Sequence, residues 1–433
     1  MSEIRDVRAR RVWDSRGRPT VEAEIELASG AVGRAIAPAG ASTGTFEAVE
    51  LRDGGSALHG LDVQQAIANV RGPIRETLVG GLFLDQAALD RRLIELDGTP
   101  KKSRLGANAI VAVSLAFAHA SAAEAKQPLW RTLAGEAPVC LPLPEVQIYG
   151  GGAHAHGRID VQDFLVIPIG AASFAQALEW VAEIYAAAGA RLARKGKLAG
   201  VADEGGYWPA FAANVEALEE LTRAIEDAGL SPGRQAAIAL DIAATQLLRD
   251  GRYHLALEKR ALDAAAFGKL LGTWIDAFPI VSIEDPFAET DREAMRAFTA
   301  AYGSKLQIVG DDYFVTDATR IAAGIRDGAC NTVLLKPNQI GTLTETRAAL
   351  EAARKGGYGA IVSARSGESE DVTIVHLAVG WGVPQLKVGS IARSERTAKW
   401  NEGLRIDEAL GGPALSPSSL FPWRQRAGAS ARP

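Results

Sequence analysis

Apolar and polar residues alternate near the start of the chain, in the stretch TVEAEIELASGAVGRAIAP at residues 20–38. Alternation with a period of two is typical of β-strands that bury one face, and we expect strands there. A different pattern occurs at residues 105–125, where LGANAIVAVSLAFAHASAAEA is mostly apolar and rich in alanine. This stretch is near the length of a membrane span. The polar residues Asn108, Ser114 and His119 interrupt it, which favours a helix buried inside the fold.

Short apolar runs recur in the second half of the chain, and a helix-like segment follows each of them. The runs are AAIALD, IVSIED, LQIVGD, TVLLK, AIVSAR and PQLK, and their charged ends are Asp241, Glu284, Asp311, Lys336, Arg365 and Lys387. Most ends are separated by about the length of one βα unit. Parallel strands that are buried on both faces read as continuous apolar runs. The pattern therefore predicts an α/β fold with an (α/β)8 barrel of the TIM type.

The proline-rich stretch GEAPVCLPLPE at residues 135–145 is the expected domain boundary. We predict an N-terminal α+β domain over residues 1–135 and a barrel over residues 138–412, which carries the catalytic groups. The remaining residues, 413–433, are expected to form an exposed or disordered tail.

Composition limits the possible partners. The 433 residues carry a net charge of −5, with 47% hydrophobic and 23% charged residues, as in ordinary globular proteins. This charge gives no basic surface for nucleic acid or for an anionic membrane, so we predict neither as a partner. The two cysteines, Cys140 and Cys330, have no metal-binding spacing, and the N-terminus lacks the apolar region of a signal peptide. Together these features predict a reducing, cytoplasmic location.

Three carboxylates end neighbouring runs, at Asp241, Glu284 and Asp311. The carboxyl ends of barrel strands meet on one face, so these groups should lie close together and need a counter-charge. A hard divalent cation with oxygen ligands, such as Mg²⁺, would supply it. The alternative is that each carboxylate pairs with a local arginine or lysine. The occurrence of all three carboxylates at the ends of successive runs favours the metal.

Lys336 and Lys387 are expected on the same face. A lysine beside divalent cations in a low dielectric has a lowered pKa and can act as a base. A plain salt bridge to one of the carboxylates is an equally good interpretation of either lysine alone. With Arg365 nearby, the site suits a polyanionic substrate and the negative charge that develops when a proton is removed next to a carboxylate.

Two glycine-rich segments add candidate groups. The first, APAGASTGTFEAVELRD at residues 37–53, places Ser42 between two glycines, as a mobile lid requires. The second, VADEGGYWP at residues 201–209, carries Asp203 and Glu204 before two glycines. An ordinary acidic turn is the alternative for this second segment.

The chain resembles enolase (phosphopyruvate hydratase) over nearly its whole length. The matching segments are DSRGRPTVEAE, GASTG, DEGGY, SIEDPF, VGDDYFVT, LLKPNQIGTLTET, RSGESED and ARSERTAK, in that order. The resemblance implies a modified barrel of the form ββαα(βα)6, capped by the N-terminal domain and assembled as a homodimer or higher homo-oligomer. It also implies a Mg²⁺-dependent hydro-lyase that works through an enediolate.

Site residues follow from the same resemblance. The implied ligands of a first Mg²⁺ are Asp241, Glu284 and Asp311. Ser42 would close the lid onto a second Mg²⁺ that is recruited with the substrate. Lys336 would remove the α-proton, and Glu204 would help the 3-hydroxyl to leave. The implied substrate contacts are His154, Asp163, Lys387, Arg365 and Ser366, the last two at the phosphate.

Several positions depart from the family pattern. Ala364 stands where enolases have a histidine, Asp163 replaces a glutamate, and residues 150–152 are Gly-Gly-Gly in place of Asn-Gly-Gly. Ala39 and His156 also differ from the residues that enolases have at these positions. These changes lie on the substrate side, whereas the metal-and-base side is intact. We hypothesise that His156 partly replaces the missing imidazole.

The leading functional prediction is dehydration of 2-phosphoglycerate to phosphoenolpyruvate, a step of glycolysis. Ala364 removes a contact worth about 1.5–3 kcal/mol, which leaves two alternatives open. One is a paralogue of phosphonate or phosphinate biosynthesis that makes a product such as carboxyphosphonoenolpyruvate. The other is a non-catalytic binding protein, and retention of Lys336 and Glu204 argues against it.

Overall fold

The computed structural model describes residues 2–41, 43–412 and 415–423. The N-terminal part is a four-stranded antiparallel sheet in the order β3-β2-β1-β4, covered by helices. Its strands are β1 (Ser2–Trp13), β2 (Pro19–Leu27), β3 (Val32–Ile36) and β4 (Leu82–Phe83). Its helices are α1 (Gln64–Asn69), α2 (Arg75–Leu78), α3 (Gln86–Asp97), α4 (Ala107–Glu124) and α5 (Leu129–Ala134).

Helix α4 is the apolar, alanine-rich stretch of the sequence, and it packs across β2 and β3. Its small side chains allow a close approach, since a β-carbon at Gly33 would lie 2.1 Å from the carbonyl oxygen of Ala116. By length and composition α4 could cross a membrane, but 78% of it is buried inside the fold. The prediction of a buried helix is therefore confirmed.

The second part begins with two strands and two helices and then repeats strand and helix. Its strands are β5 (Leu143–Gly150), β6 (Asp163–Ile167), β7 (Ala237–Asp241), β8 (Leu248–Arg249), β9 (Arg252–Leu255), β10 (Arg260–Leu262), β11 (Ile280–Glu284), β12 (Gln307–Gly310), β13 (Thr332–Leu335), β14 (Gly359–Ser363) and β15 (Gln385–Gly389). Its helices are α6 (Phe174–Arg194), α7 (Asn214–Asp227), α8 (Ala264–Ala277), α9 (Arg292–Tyr302), α10 (Ala318–Asp327), α11 (Pro337–Ile340), α12 (Leu343–Lys355), α13 (Thr373–Gly380) and α14 (Ser394–Ala409).

Eight of these strands close into a barrel in the order β11-β12-β13-β14-β15-β5-β6-β7. Strand β6 is antiparallel to both of its neighbours, and the other barrel strands run parallel to one another. Strands β8 to β10 form a small separate sheet. The predicted TIM-type barrel of the form ββαα(βα)6 with an N-terminal α+β domain is confirmed.

Local sequence explains where several barrel helices begin. A side-chain oxygen at the residue before the helix accepts a backbone N–H of the first turn, which would otherwise have no partner. The residues that do this for α6, α8, α9, α10 and α12 are Ser173, Asp263, Asp291, Asp317 and Thr342. The barrel strands are buried along nearly their whole length, as their apolar runs predict.

The predicted tail requires a correction. Residues 413–414 and 424–433 lie outside the described residues. Within residues 415–423, Leu415 pairs with Leu141 by a β-bridge, and the stacked rings of Phe421 and Trp423 are both buried. This part of the tail is therefore partly packed, because Leu415, Phe421 and Trp423 lose contact with water while Leu420 stays exposed. The domain boundaries stay predictions.

Candidate active site

The barrel brings the charged strand ends together. Asp241 and Glu284 are direct partners in the pairing of β7 with β11, and Asp311 directly follows the neighbouring strand β12. Lys336 directly follows β13, and Lys387 lies within β15. All of these side chains are buried. The sequence pattern therefore located one face of the barrel correctly.

A small cavity lies at this face, with a volume of about 10 Å³. That is about the space one water molecule needs, so the cavity must widen to admit a substrate. Its walls are Gly40, Ala41, His154, Gln162, Glu204, Asp241, Lys336, Ser363, Ala364, Arg365, Ser366 and Lys387. The predicted residues Asp163, Glu284 and Asp311 each contact one of these side chains. Ser42 lies outside the described residues.

A larger cavity of about 640 Å³ lies elsewhere, at the surface between the N-terminal domain and α12. Apolar groups such as Phe83, Leu84 and Trp381 dominate its lining. It contains no cluster of titratable groups like the one at the strand ends. We therefore place the chemistry in the small cavity and not in the large one.

The two lysines neutralise the acidic strand ends. Lys387 Nζ lies 3.0 Å from Asp241 Oδ2 and 2.7 Å from Glu284 Oε2. Lys336 Nζ lies 2.5 Å from Asp311 Oδ2. Burial works to lower the pKa of Lys336, but the carboxylates of Asp311 and Glu284 together outweigh it and the pKa is raised. The lowered pKa expected for a lysine beside divalent cations stays a prediction, and the carboxylate at hydrogen-bonding distance opposes it.

The acidic side of the site fits a divalent cation. Burial and the neighbouring Asp241 raise the pKa of Glu284 well above its usual value, and its Oε1 atom is buried with no hydrogen-bond partner. When all three carboxylates are ionised, they exceed the two ammonium groups by one negative charge, which a cation can balance. The donor set consists of oxygen atoms, which are the ligands that Mg²⁺ prefers. Asp241, Glu284 and Asp311 therefore fit this ion by donor type, whereas the carboxylates whose oxygen atoms lie within 4.8 Å of one another are those of Asp285, Asp311 and Asp312.

Two further acidic residues belong to the same region. One carboxylate oxygen each of Asp285, Asp311 and Asp312 lies within 4.8 Å of the others. Both oxygens of Asp285 accept backbone N–H groups, from Asp311 at 3.0 Å and from Asp312 at 2.8 Å. Asp285 thus holds the turn that carries Asp311. The sequence reasoning missed it, although it directly follows Glu284.

Two glutamines were also missed. Gln162 Nε2 donates to Asp241 Oδ2 at 3.1 Å, and Gln339 Nε2 donates to Asp311 Oδ1 at 2.9 Å. Each amide fixes the direction of a carboxylate that is a candidate metal ligand. The sequence could have indicated both glutamines, since Gln162 precedes Asp163 and Gln339 lies three residues after Lys336.

His154 connects two carboxylates on the other side of the cavity. Its Nδ1 lies 2.9 Å from Asp163 Oδ1, and its Nε2 lies 3.8 Å from Glu204 Oε1. Burial would lower the pKa of His154, but Asp163 and Glu204 outweigh it and raise the pKa to about 9. Burial likewise favours neutral Glu204, yet His154 and other nearby cations hold the pKa of Glu204 below its usual value. At neutral pH the proton therefore sits on His154 and not on Glu204.

The predicted phosphate contacts lie beside each other after β14. Arg365 Nη1 donates to Glu47 Oε2 at 3.0 Å, and Ser366 Oγ accepts the Ala41 N–H at 2.6 Å. The buried Arg396 holds the backbone of this turn, with Nη1 2.7 Å from the Arg365 carbonyl oxygen and Nη2 2.6 Å from that of Ser366. Glu47 and Arg396 were not predicted as part of the site, although Arg396 lies in a segment that matches the family and Glu47 lies in the glycine-rich segment at residues 37–53.

Comparison with known proteins agrees with this arrangement. Residues 138–417 match the family model of the enolase C-terminal TIM barrel domain, and residues 4–133 match that of the enolase N-terminal domain. The chain is 51% identical over 419 residues to Enolase 1 of Desulfitobacterium hafniense (strain Y51), covering 96% of each chain. This chain belongs to the enolase family. The resemblance seen in the sequence is thereby confirmed, and the comparisons favour a hydro-lyase over the phosphonate alternative and the non-catalytic one.

The departures from the enolase pattern can now be placed. Ala364 lines the cavity, with its backbone N–H bonded to the carbonyl oxygen of Lys387 at 2.9 Å. His154 is the one imidazole among the described residues that line the cavity. His156 is exposed, and its ring packs against Trp208 at 5.9 Å. The hypothesis that His156 replaces the missing imidazole is therefore wrong, because its ring points to a different neighbour outside the cavity.

Proposed function

We propose that this chain dehydrates 2-phosphoglycerate to phosphoenolpyruvate and water through an enediolate. The observation that carries the proposal is a single buried cavity that joins a lysine, a protonated imidazole and a candidate anion site. Removal of a proton next to a carboxylate and loss of a hydroxyl require a base and an acid in one site. The cavity of this chain contains a candidate for each, the lysine as the base and the protonated imidazole as the source of the acid's proton.

Lys336 is the proposed base. Its Nζ accepts the α-proton when the amine is neutral, and Asp311 at 2.5 Å then stabilises the ammonium that forms. Asp241, Glu284 and Asp311 would hold Mg²⁺, which would supply positive charge to stabilise the enediolate. Lys387, which contacts two of these carboxylates, adds a fixed positive charge on the same side.

His154 and Glu204 are the proposed source of the proton for the leaving hydroxyl. The imidazolium of His154 holds a proton at Nε2, 3.8 Å from Glu204 Oε1, while Asp163 fixes the ring through Nδ1. A contraction of about 1 Å brings this pair to hydrogen-bonding distance, so that Glu204 receives the proton and passes it to the hydroxyl. Arg365 and Ser366 bind the phosphate in this proposal.

Further parts of the proposal rest on family membership. They are two Mg²⁺ ions per site with Ser42 at the second, a homodimer or higher homo-oligomer, a place in glycolysis and a cytoplasmic location. The two free cysteines, Cys140 and Cys330, support a reducing compartment.

Steady-state turnover of 2-phosphoglycerate, followed by the absorbance of phosphoenolpyruvate, tests the function. We expect turnover that depends on Mg²⁺ and stops when the ion is chelated. The matched control is Lys336→Ala, which should be inactive while still folded. Absence of product from the folded wild-type protein at saturating Mg²⁺ would contradict the proposal.

A further inference from the structure

Gln147 on strand β5 is fully buried, and its side-chain amide bonds to two groups beside His154. The amide nitrogen Nε2 donates to Asp163 Oδ1, and the amide oxygen Oε1 accepts the Gly206 N–H at 2.8 Å. Gly206 lies two residues after Glu204, so Gln147 joins Asp163 to the segment that carries Glu204. We call this pair of hydrogen bonds the Gln147 bridge.

The two partners determine the direction of the amide. An ionised carboxylate such as Asp163 can only accept a hydrogen bond, and a backbone N–H can only donate one. Glutamine offers a donor and an acceptor at fixed positions on one planar group, so it satisfies both partners at once. A carboxylate at this position would lose the bond to Asp163, and an apolar side chain would lose both bonds.

The segment that carries Glu204 lies tightly against this amide. A β-carbon at position 206 would lie 2.6 Å from Gln147 Oε1, so any side chain there would push the amide away from its partners. The same segment also bonds to the backbone of His154, because the Asp203 N–H donates to the His154 carbonyl oxygen at 3.0 Å. The Gln147 bridge therefore helps to determine how far Glu204 stands from the imidazole.

We propose that Gln147 is a positioning residue that sets the separation between His154 Nε2 and Glu204 Oε1 and thereby supports departure of the hydroxyl. The inference rests on the proposed function in taking Glu204 to be the group that passes the proton to that hydroxyl. Gln147 does not touch the substrate in this proposal. It acts on the imidazole through Asp163, whose Oδ1 lies 2.9 Å from His154 Nδ1, and on Glu204 through the Gly206 N–H.

The physical basis is the dependence of proton transfer on distance. His154 Nε2 and Glu204 Oε1 are 3.8 Å apart, and a hydrogen bond between them requires about 1 Å less. Holding both groups on one amide limits how far they can move apart. A misplacement of about 1 Å near a reacting group can lower a rate by roughly 100-fold. Loss of the Gln147 bridge should therefore slow the step that uses this proton.

The base is held separately. Lys336 bonds to Asp311 on the opposite side of the cavity, and the two bonds of the Gln147 bridge involve neither residue. Removal of the α-proton should therefore survive loss of the bridge, whereas departure of the hydroxyl should not. This difference separates a positioning role from a general structural one.

Two rates measure the two steps. Exchange of the substrate α-proton with solvent deuterium reports its removal by Lys336, and formation of phosphoenolpyruvate also requires loss of the hydroxyl. Gln147→Met keeps the length of the side chain and removes both bonds. We expect it to lower the rate of phosphoenolpyruvate formation by about 10- to 100-fold without lowering the rate of exchange. The ratio of exchange to dehydration should rise by the same factor.

Gln339→Met is the matched control on the other side of the cavity. Gln339 is also a buried glutamine, and it donates to Asp311 Oδ1 at 2.9 Å, whereas Asp311 Oδ2 is the partner of Lys336. Loss of this amide should lower exchange and dehydration together, because both require Lys336. The ratio of the two rates should therefore stay near its wild-type value.

Hydrogen–deuterium exchange of the backbone tests the bridge without turnover. We expect the peptide covering residues 201–209 to exchange faster in Gln147→Met than in the wild-type protein or in Gln339→Met. Gln147→Glu keeps an acceptor for the Gly206 N–H, but its carboxylate cannot donate to Asp163. It should keep the protection and still slow dehydration, and it serves if Gln147→Met does not fold.

Three results would overturn the inference. They are an equal fall of exchange and dehydration in Gln147→Met, wild-type dehydration by either Gln147 variant, and unchanged protection of residues 201–209 in folded Gln147→Met. A wild-type protein that gave no phosphoenolpyruvate would overturn the proposed function and this inference with it. An active wild-type protein together with any of the three results would overturn the inference alone.

Discussion

The protonation of His154 can be measured directly, and two identified neighbours, Asp163 and Glu204, stabilise the charged ring. Burial works to lower the pKa of the ring, but Asp163 and Glu204 raise it from an ordinary 6.5 to about 9. At ~1.4 kcal/mol per unit, this rise corresponds to roughly 3 kcal/mol in favour of the charged ring. The pKa is higher in the folded than in the unfolded protein. The stabilisation is therefore complete below about pH 6.5 and is lost as the pH rises through about 9.

Asp163→Asn removes the carboxylate that lies 2.9 Å from His154 Nδ1 and keeps its shape. We expect the His154 pKa to fall by roughly one unit or more, and the loss of stability between pH 6.5 and pH 9 to shrink accordingly. NMR titration of the imidazole resonances measures the pKa directly. The chain has six histidines, and His154→Gln identifies the relevant signal. Chemical denaturation at a series of pH values measures the stability.

Asp203→Asn is the matched control, because Asp203 is adjacent to Glu204 and contacts His154 only through its backbone N–H. It should leave the His154 titration near its wild-type position. The reasoning is refuted if His154 in the wild-type protein titrates near 6.5. It is equally refuted if Asp163→Asn and Asp203→Asn shift the pKa by the same amount.

Three further predictions concern other parts of the site. Asp311→Asn should weaken Mg²⁺ binding sharply in calorimetry, since it removes one of the three proposed carboxylate ligands, and an unchanged affinity would exclude this metal site. Lys336→Ala should abolish exchange of the substrate α-proton with solvent deuterium, followed by NMR; persisting exchange would identify another base. Arg396→Met should cost about 3 kcal/mol or more in chemical denaturation, because it removes the buried, charged donor that bonds the carbonyl oxygens of residues 365, 366 and 388. Wild-type stability of this variant would mean that water or another group replaces the guanidinium.

Comparison of the sequence with the structure separates two kinds of information. The apolar runs placed six of the eight barrel strands, β7 and β11 to β15, and the ends of three runs placed Asp241, Glu284 and Asp311 on one face. This worked because strand burial and strand ends depend on local patterning, and because the barrel geometry sends parallel strands to a common face. The family motifs added roles to these positions, but not their protonation states.

The hydrogen-bond partners of the charged groups could not be predicted from patterns in the sequence. Arg365 and Glu47 are 318 residues apart in the chain, and no periodic pattern relates them. The same holds for Leu415 in the described tail, which pairs with the distant Leu141.

The sequence by itself determined the fold class, the face of the barrel that carries the chemistry and the family. The tertiary structure decided that the proton sits on His154, that Lys336 keeps a raised pKa beside Asp311, and that Glu47 holds Arg365. A pKa depends on burial and on charges within a few ångströms, and those charges come here from different strands and loops. Their distances exist only after the barrel has closed and the N-terminal domain has packed onto it.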